Sequence, residues 1–234
     1  MASSQQSRNF LLASLPAADF DLLRPNLQTI DMLRGQMLVR SGDIPKRAYF
    51  PKSGIIASCV TFDDGSLIEA RITGREGAVG AAIGGGGRPS FTSAVVRLEG
   101  QSYAIDYPSF ETAMGQSAAL RAVLAKHEAF QQAISDQSVA CNVAHVTEER
   151  LARRLMRLHV MSGQTSFVAT QEAMAEMLGI RRNAVSLVAH AMQEANIIRY
   201  SRGRLEIVDL DGLRSRSCEC YDAVMTYRDR IEPD

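Results

Sequence analysis

The 234-residue sequence has no net formal charge, no CxxC pair among its four cysteines and no apolar run that approaches a membrane span. Each absence excludes something. A spanning helix needs about 20 consecutive apolar residues, and the Phe10-Leu11-Leu12-Ala13 patch is too short even for the apolar region of a secretion signal. The chain is therefore expected in the cytoplasm, without a membrane partner. A reducing compartment argues against structural disulfides among Cys59, Cys141, Cys218 and Cys220. Cys218-Glu219-Cys220 has the donor chemistry for a metal or a redox pair. No histidine or second cysteine pair lies near it in sequence to complete a tetrahedral site, so ordinary thiols are the expectation. His127, His145, His159 and His190 fall on expected helices without an HExxH or similar spacing. No metal or other cofactor is expected. The chain also lacks a paired carboxylate or a nucleophile-base motif at a recognisable spacing, which argues against an enzyme.

The length suits one large or two modest domains. The most informative stretch is Thr170 to Ile198. Thr170 is a good helix N-cap, and Met174, Ala175 and Leu178 follow at the spacing of a buried helical stripe. Gly179 suits the left-handed residue that ends a helix, and a second helical pattern resumes about two residues later, as in a helix-turn-helix. In that second helix Val185, Val188 and Met192 face inward, and Arg182, Asn183, Ser186, His190 and Gln193 share the opposite arc. Arginine can chelate guanine in the major groove, asparagine adenine, and serine serves either. A solvated face is the ordinary reading of such an arc. Here residues 150 to 204 hold nine arginines against three acids in a chain of zero net charge, a local excess that suits phosphates.

Residues 8 to 30 read as one or two helices interrupted by Pro16 and Pro25. From Asp31 to Tyr107, short runs divided by Gly, Asp and Pro predict strands of an antiparallel sandwich or small barrel, with Asp64-Gly65 the clearest hairpin turn. The run Gly84 to Gly87 lacks the GKS or GxGxxG context of a phosphate cradle and reads as a flexible turn. From Ser117 to His145 there is no Pro or Gly, which predicts one helix of roughly 40 Å. Leu120, Val123, His127, Phe130, Ile134, Gln137, Cys141 and Ala144 recur along it at threes and fours, and Leu120, Val123, His127, Phe130, Ile134 and Cys141 are expected to form a dimer seam, the alternative being a helix packed on its own domain. Glu148 to Met161 is a second helix with Arg150, Arg153, Arg154 and Arg157 on one side. After the helix-turn-helix, residues 197 to 208 predict two strands around Gly203, a β-wing carrying Arg199, Arg202 and Arg204. Asp211 to Ile231 reads as one final amphipathic helix.

Taken in order, these parts resemble the CRP/FNR superfamily of bacterial transcription regulators over nearly the whole chain. In the N-terminal half the resemblance rests on Tyr49-Phe50-Pro51, Gly54-Ile55-Ile56, Asp64-Gly65, Gly74-Arg75-Glu76-Gly77 and Val79-Gly80. In the C-terminal half it rests on Arg150-Leu151-Ala152, Thr170-Gln171-Glu172, Ala175, Leu178-Gly179, Arg182-Asn183-Ala184-Val185-Ser186 and Arg202-Gly203-Arg204. The implied fold is α+β: a cyclic-nucleotide-binding-like β-roll (jelly roll) over 1–116, a dimerisation helix over 117–146 and a winged helix-turn-helix over 147–234.

The resemblance implies roles. Arg182, Asn183 and Ser186 match base-reading positions, and Leu187 stands where many members carry a second arginine, so a half-site unlike theirs is expected. Thr170, Arg181, Arg199, Arg202, Arg204, Arg153 and Arg154 are expected at phosphates. Cyclic-nucleotide-binding members use a Gly-Glu pair for the ribose and Arg-Ser or Arg-Thr for the cyclic phosphate. Gly80-Ala81 and Thr92-Ser93 stand there, a degenerate pocket from which cyclic AMP is expected to be excluded, with Arg88 and Arg97 as potential substitutes. The N-terminal cysteine cluster of iron-sulfur members is absent, and a lone haem ligand at His127 or His145 has little to support it. The expected partners are double-stranded DNA with an inverted-repeat operator and a second copy of the chain. The resemblance leaves room for RNA polymerase and an unidentified small-molecule effector, whose input would shift the long helices. The rival reading is a degenerate sensor and dimerisation module that acts through protein contacts without specific DNA binding.

Overall fold

The computed structural model describes residues 8–82 and 87–231, so most of the glycine run from Gly84 to Gly87 lies outside the described residues. Contacts within the chain divide it into two compact units, residues 1–61 with 71–132 and residues 62–70 with 133–234.

The first unit opens with α1 (Phe10–Ala13), α2 (Ala17–Leu23) and a 3-10 turn (Arg24–Asn26) containing Pro25. Seven strands follow: β1 (Gln28–Met32), β2 (Met37–Val39), β3 (Arg47–Pro51), β4 (Ile55–Thr61), β5 (Leu67–Thr73), β6 (Ser93–Leu98) and β7 (Gly100–Asp106). They form two antiparallel sheets, in the orders β1-β7-β3 and β2-β6-β4-β5. Residues 93–106 form two strands, β6 and β7, one in each sheet. The crossing at Gly100 explains that residue: a Cβ there would lie 2.5 Å from the backbone of Ser53. Met32, Val39, Ile56, Val96 and Ala104 fill the space between the sheets. A second core lies on α1, α2, α3 (Tyr107–Gln116) and the first half of α4 (Ala118–Ala144), where Leu12, Leu23, Phe110, Leu120 and Leu124 meet Phe50 and Ile105. Asn9 ties this end together. Its Oδ1 accepts from Leu12 N to cap α1, and its Nδ2 donates to the carbonyls of Pro51 and Gly77.

The long helix is present as expected, and the residues expected at the dimer seam lie on its buried face. Leu120, His127, Phe130, Ile134 and Cys141 are buried and Val123 is half-buried within the chain's own packing. Side chains already removed from water have nothing left to bury against a second copy, so for the five buried ones the packing favours the helix-on-its-own-domain alternative. A different line, Ala118, Ala122, Ala125, Ala129, Gln132, Asp136, Val139 and Val143, alternates fours and threes on the outer face. All but the half-buried Ala129 are exposed, Val143 at 89%.

The second unit runs from the end of α4 into α5 (Thr147–Ser162), β8 (Ser166–Val168), α6 (Gln171–Leu178), α7 (Arg182–Glu194), β9 (Ile198–Ser201), β10 (Arg204–Ile207), α8 (Leu210–Ser215) and α9 (Cys220–Ile231). The wing is a three-stranded sheet, order β8-β10-β9, with one strand more than the pattern gave. The final helix is two, broken at residues 216–219, and the break carries Cys218. Among the described residues no helix is long and apolar enough to cross a membrane.

Candidate nucleic-acid interface

The helix-turn-helix forms where its local signals place it. Thr170 Oγ1 accepts from Ala173 N at 3.1 Å and caps α6. Gly179 ends α6 in the left-handed conformation at φ 63°, and α7 begins three residues later. Val185, Ala189 and Met192 anchor α7, while Val188 is half-buried. The outer arc presents Arg182 and Asn183 exposed, Ser186 half-buried and Leu187 with 73% of its surface open to solvent.

Arg182 is held in place. Its Nε donates to Gln171 Oε1 at 2.9 Å, and its Nη1 pairs with Glu172 Oε1 at 2.8 Å. Both partners lie on the first turn of α6, so the first helix positions the leading arginine of the second. Tyr200 of the wing shares this neighbourhood. Burial raises its phenol pKa, Glu172 adds to the rise and Arg182 opposes it. Gln193, read only as part of the polar arc, accepts the Tyr200 amide at 2.8 Å and ties α7 to β9. Nothing in their spacing marked Gln171, Glu172, Gln193 and Tyr200 as partners.

The wing turns at Arg202-Gly203, both at positive φ (50° and 74°), the combination of a type I′ hairpin. This turn abuts the start of α6: Gly203 O accepts from Ala169 N at 2.8 Å, and a Cβ on Gly203 would lie 3.7 Å from Thr170. Thr170, Arg202 and Arg204 are thus neighbours, with both arginines exposed. Arg181, the residue before α7, is exposed as well. Arg199 is exposed but pairs with Glu206, its cross-strand neighbour, at 2.7 Å.

Two expected phosphate contacts are corrected. Arg153 and Arg154 are each 6% exposed, and Arg150 and Arg157 are buried beside them. Arg154 meets Glu69 at 3.4 Å and donates to the Glu69 carbonyl, and burial pulls its pKa down to about 10. Arg150 donates to the Leu178 carbonyl at the end of α6. These arginines lie inside the domain, and a buried guanidinium is not offered to DNA. The nine-arginine excess therefore shrinks at the surface to Arg181, Arg182, Arg199, Arg202 and Arg204.

The first unit holds a cavity of about 530 Å³ lined by Gly80, Ala81, Thr92, Arg71, Arg88 and His127 among others. Ser93, expected there, is not among the lining residues. Its hydroxyl lies 3.0 Å from both Ser41 N and Thr61 Oγ1. Arg97, one potential substitute, points to Cys59, whereas Arg88 lines the cavity. Arg71 went unnoticed in the sequence because it lies mid-strand; burial lowers its pKa. His127 is buried with Nε2 3.2 Å from the Ala78 backbone, and desolvation holds its pKa below the usual imidazole range.

Cys218 and Cys220, expected to lack company, meet Cys141 and His145 across more than 70 residues of sequence. Burial pushes the Cys218 thiol up to about 12 and raises Cys141 too.

Residues 149–216 match the Crp-like helix-turn-helix domain family. No curated protein sequence matches the chain. Solved structures do. A protein assigned to the Crp/Fnr family of transcriptional regulators from Eubacterium rectale superposes with a TM-score of 0.70 at 17% identity, covering 88% of this chain and 96% of that one. FixK2 from Bradyrhizobium japonicum gives 0.68 at 13%, covering 82% and 98%. The c-di-GMP-responsive global regulator CLP of Xanthomonas campestris gives 0.66 at 14%, again covering 82% and 98%. The chain therefore carries a Crp-like helix-turn-helix domain and has the fold of the CRP/FNR transcription regulators.

Proposed function

We propose that this protein is a homodimeric, sequence-specific DNA-binding transcription regulator whose β-roll does not take cyclic AMP. The observation that carries the reading is the exposed arc of α7, with Arg182 braced by Gln171 and Glu172 and flanked by Asn183, Ser186 and Leu187. A braced arginine has lost part of its rotamer freedom before it meets a base, which lowers the entropic cost of docking. Leu187 can cover a thymine methyl but cannot chelate guanine. Phosphate contacts fall to Arg181, Arg202, Arg204, the Thr170 hydroxyl and, by exchange from Glu206, Arg199.

A two-fold dimer would place two copies of α7 in successive major grooves about 34 Å apart. The outer line of α4 from Ala118 to Val143 supplies the seam: it has heptad spacing, and Val139 and Val143 are exposed apolar side chains that a partner helix would cover. In the β-roll the ribose carboxylate of cyclic-nucleotide binders is replaced by the buried Ala81, and the phosphate guanidinium by Thr92. Arg71 and Arg88 suit a different acidic ligand, one that does not need a carboxylate facing its sugar. Selection of bound sequences from random DNA tests the proposal. An inverted repeat should emerge, its half-sites centred about one helical turn apart, and cyclic AMP should leave the enrichment unchanged. Failure to enrich any sequence would favour the protein-interaction reading.

A further inference from the structure

The end of α4 and the segment leading into α9 bring three thiols and an imidazole to one point. Cys141 lies on the last turn of α4, and His145 follows one turn later, its N–H bonded to Cys141 O at 3.1 Å. Cys218 and Cys220 flank the start of α9. One donor atom from each of the four lies within 4.8 Å of the others. Cys141 Sγ is 3.6 Å from Cys218 Sγ, and Cys220 Sγ is 3.5 Å from His145 Nδ1. All three thiols are buried, Cys141 completely.

These separations are diagnostic. A tetrahedral ion with metal–sulfur bonds of about 2.3 Å and metal–nitrogen bonds of about 2.0–2.1 Å sets its ligands roughly 3.8 Å apart for S···S and 3.6 Å for S···N. The observed pairs match both. An iron-sulfur cluster distributes its four protein ligands over two or more irons and so spreads the set more widely than one ion does. A disulfide needs the sulfurs at about 2.05 Å and would leave His145 and the third cysteine without a role.

We propose that Cys141, His145, Cys218 and Cys220 form a tetrahedral mononuclear metal site, with Zn²⁺ as the preferred ion, that staples α9 to the end of α4. Three thiolates and one imidazole are a soft donor set of the kind that structural zinc sites use. The surroundings fit. His145 Nε2 lies 3.2 Å from Glu219 Oε2, which fixes the ring so that Nδ1 carries the lone pair towards Cys220. Gln137 Nε2 donates to Cys220 Sγ at 3.0 Å, and the positive charges of Arg150 and Arg153 act on the thiols and would offset the negative charge of a three-thiolate site. The ion would hold together a segment whose sequence alone forms two short helices around a break.

The test uses the full-length protein, purified under reducing conditions and stripped of metal. Titration with Co²⁺ alone should give the thiolate charge-transfer and intense visible bands of a tetrahedral sulfur-rich site, saturating at about one ion per chain. Zn²⁺ should then displace the cobalt. C218S and H145A should each bind less than about a tenth of an equivalent, while C59S should bind as the wild type does. Circular dichroism of the variants separates lost ligation from lost fold, and the wild-type titration stands whether or not they fold. Absence of tetrahedral cobalt bands with all four thiols reduced would overturn the proposal. So would a Cys141–Cys218 disulfide as the native state, or the absorption of an iron-sulfur cluster in the purified protein.

Discussion

Single side chains separate what holds the C-terminal domain together from what it offers to DNA. Arg154 and Arg181 were both expected at phosphates, yet one is buried against Glu69 and the other is exposed before α7. Removing one member of a buried pair leaves the other charge uncompensated, at a cost of about 3–5 kcal/mol. R154A should therefore lower stability by that order in urea unfolding. R181A should leave stability within about 0.5 kcal/mol and instead reduce the slope of log affinity against log salt by about one. Equal stability losses in the two variants would refute the division. The sequence could not make this distinction: an arginine count carries charge but not burial, and Glu69 lies 85 residues from its partner. The exposed arc of α7 was legible, because helical period alone decides which side chains share a face.

Elements whose boundaries depend on near neighbours could be read in advance. The helix-turn-helix is marked by the Thr170 cap and by Gly179, and the wing by Gly203, all local signals. The third wing strand β8 was not legible. Its three residues pair with β10 more than 30 positions later and have no pattern of their own. The break between α8 and α9 was missed for a similar reason, since Cys218 finds its neighbours only in the fold. Arg202 shows a local rule being broken at an exposed site. It occupies the left-handed first position of a type I′ turn, which asparagine adopts far more readily. Such strain persists where a side chain has a use. R202N should raise stability by about 0.5–1 kcal/mol, and weaken binding to all DNA sequences while flattening the salt dependence. A stability gain with no change in DNA binding would remove Arg202 from the interface.

At the scale of the whole molecule, reading a two-fold operator requires two copies of the chain, since a two-fold operator needs a two-fold protein. The long helix was readable from its freedom from Pro and Gly, but not which stripe remains exposed, because both stripes repeat at threes and fours. Replacing Val139 and Val143 together by glutamate should give a folded monomer in sedimentation analysis and a large loss of affinity for a two-half-site operator. A persistent dimer would place the seam elsewhere. The central claim, that α7 reads bases through Arg182, is tested most directly by the ratio of affinities for the selected operator and for scrambled DNA, measured at one salt concentration for wild type and R182A. A bidentate arginine contributes about 1–3 kcal/mol of discrimination per contact. The ratio should therefore fall by roughly tenfold to more than a hundredfold, while affinity for scrambled DNA changes little. An unchanged ratio would contradict the assignment.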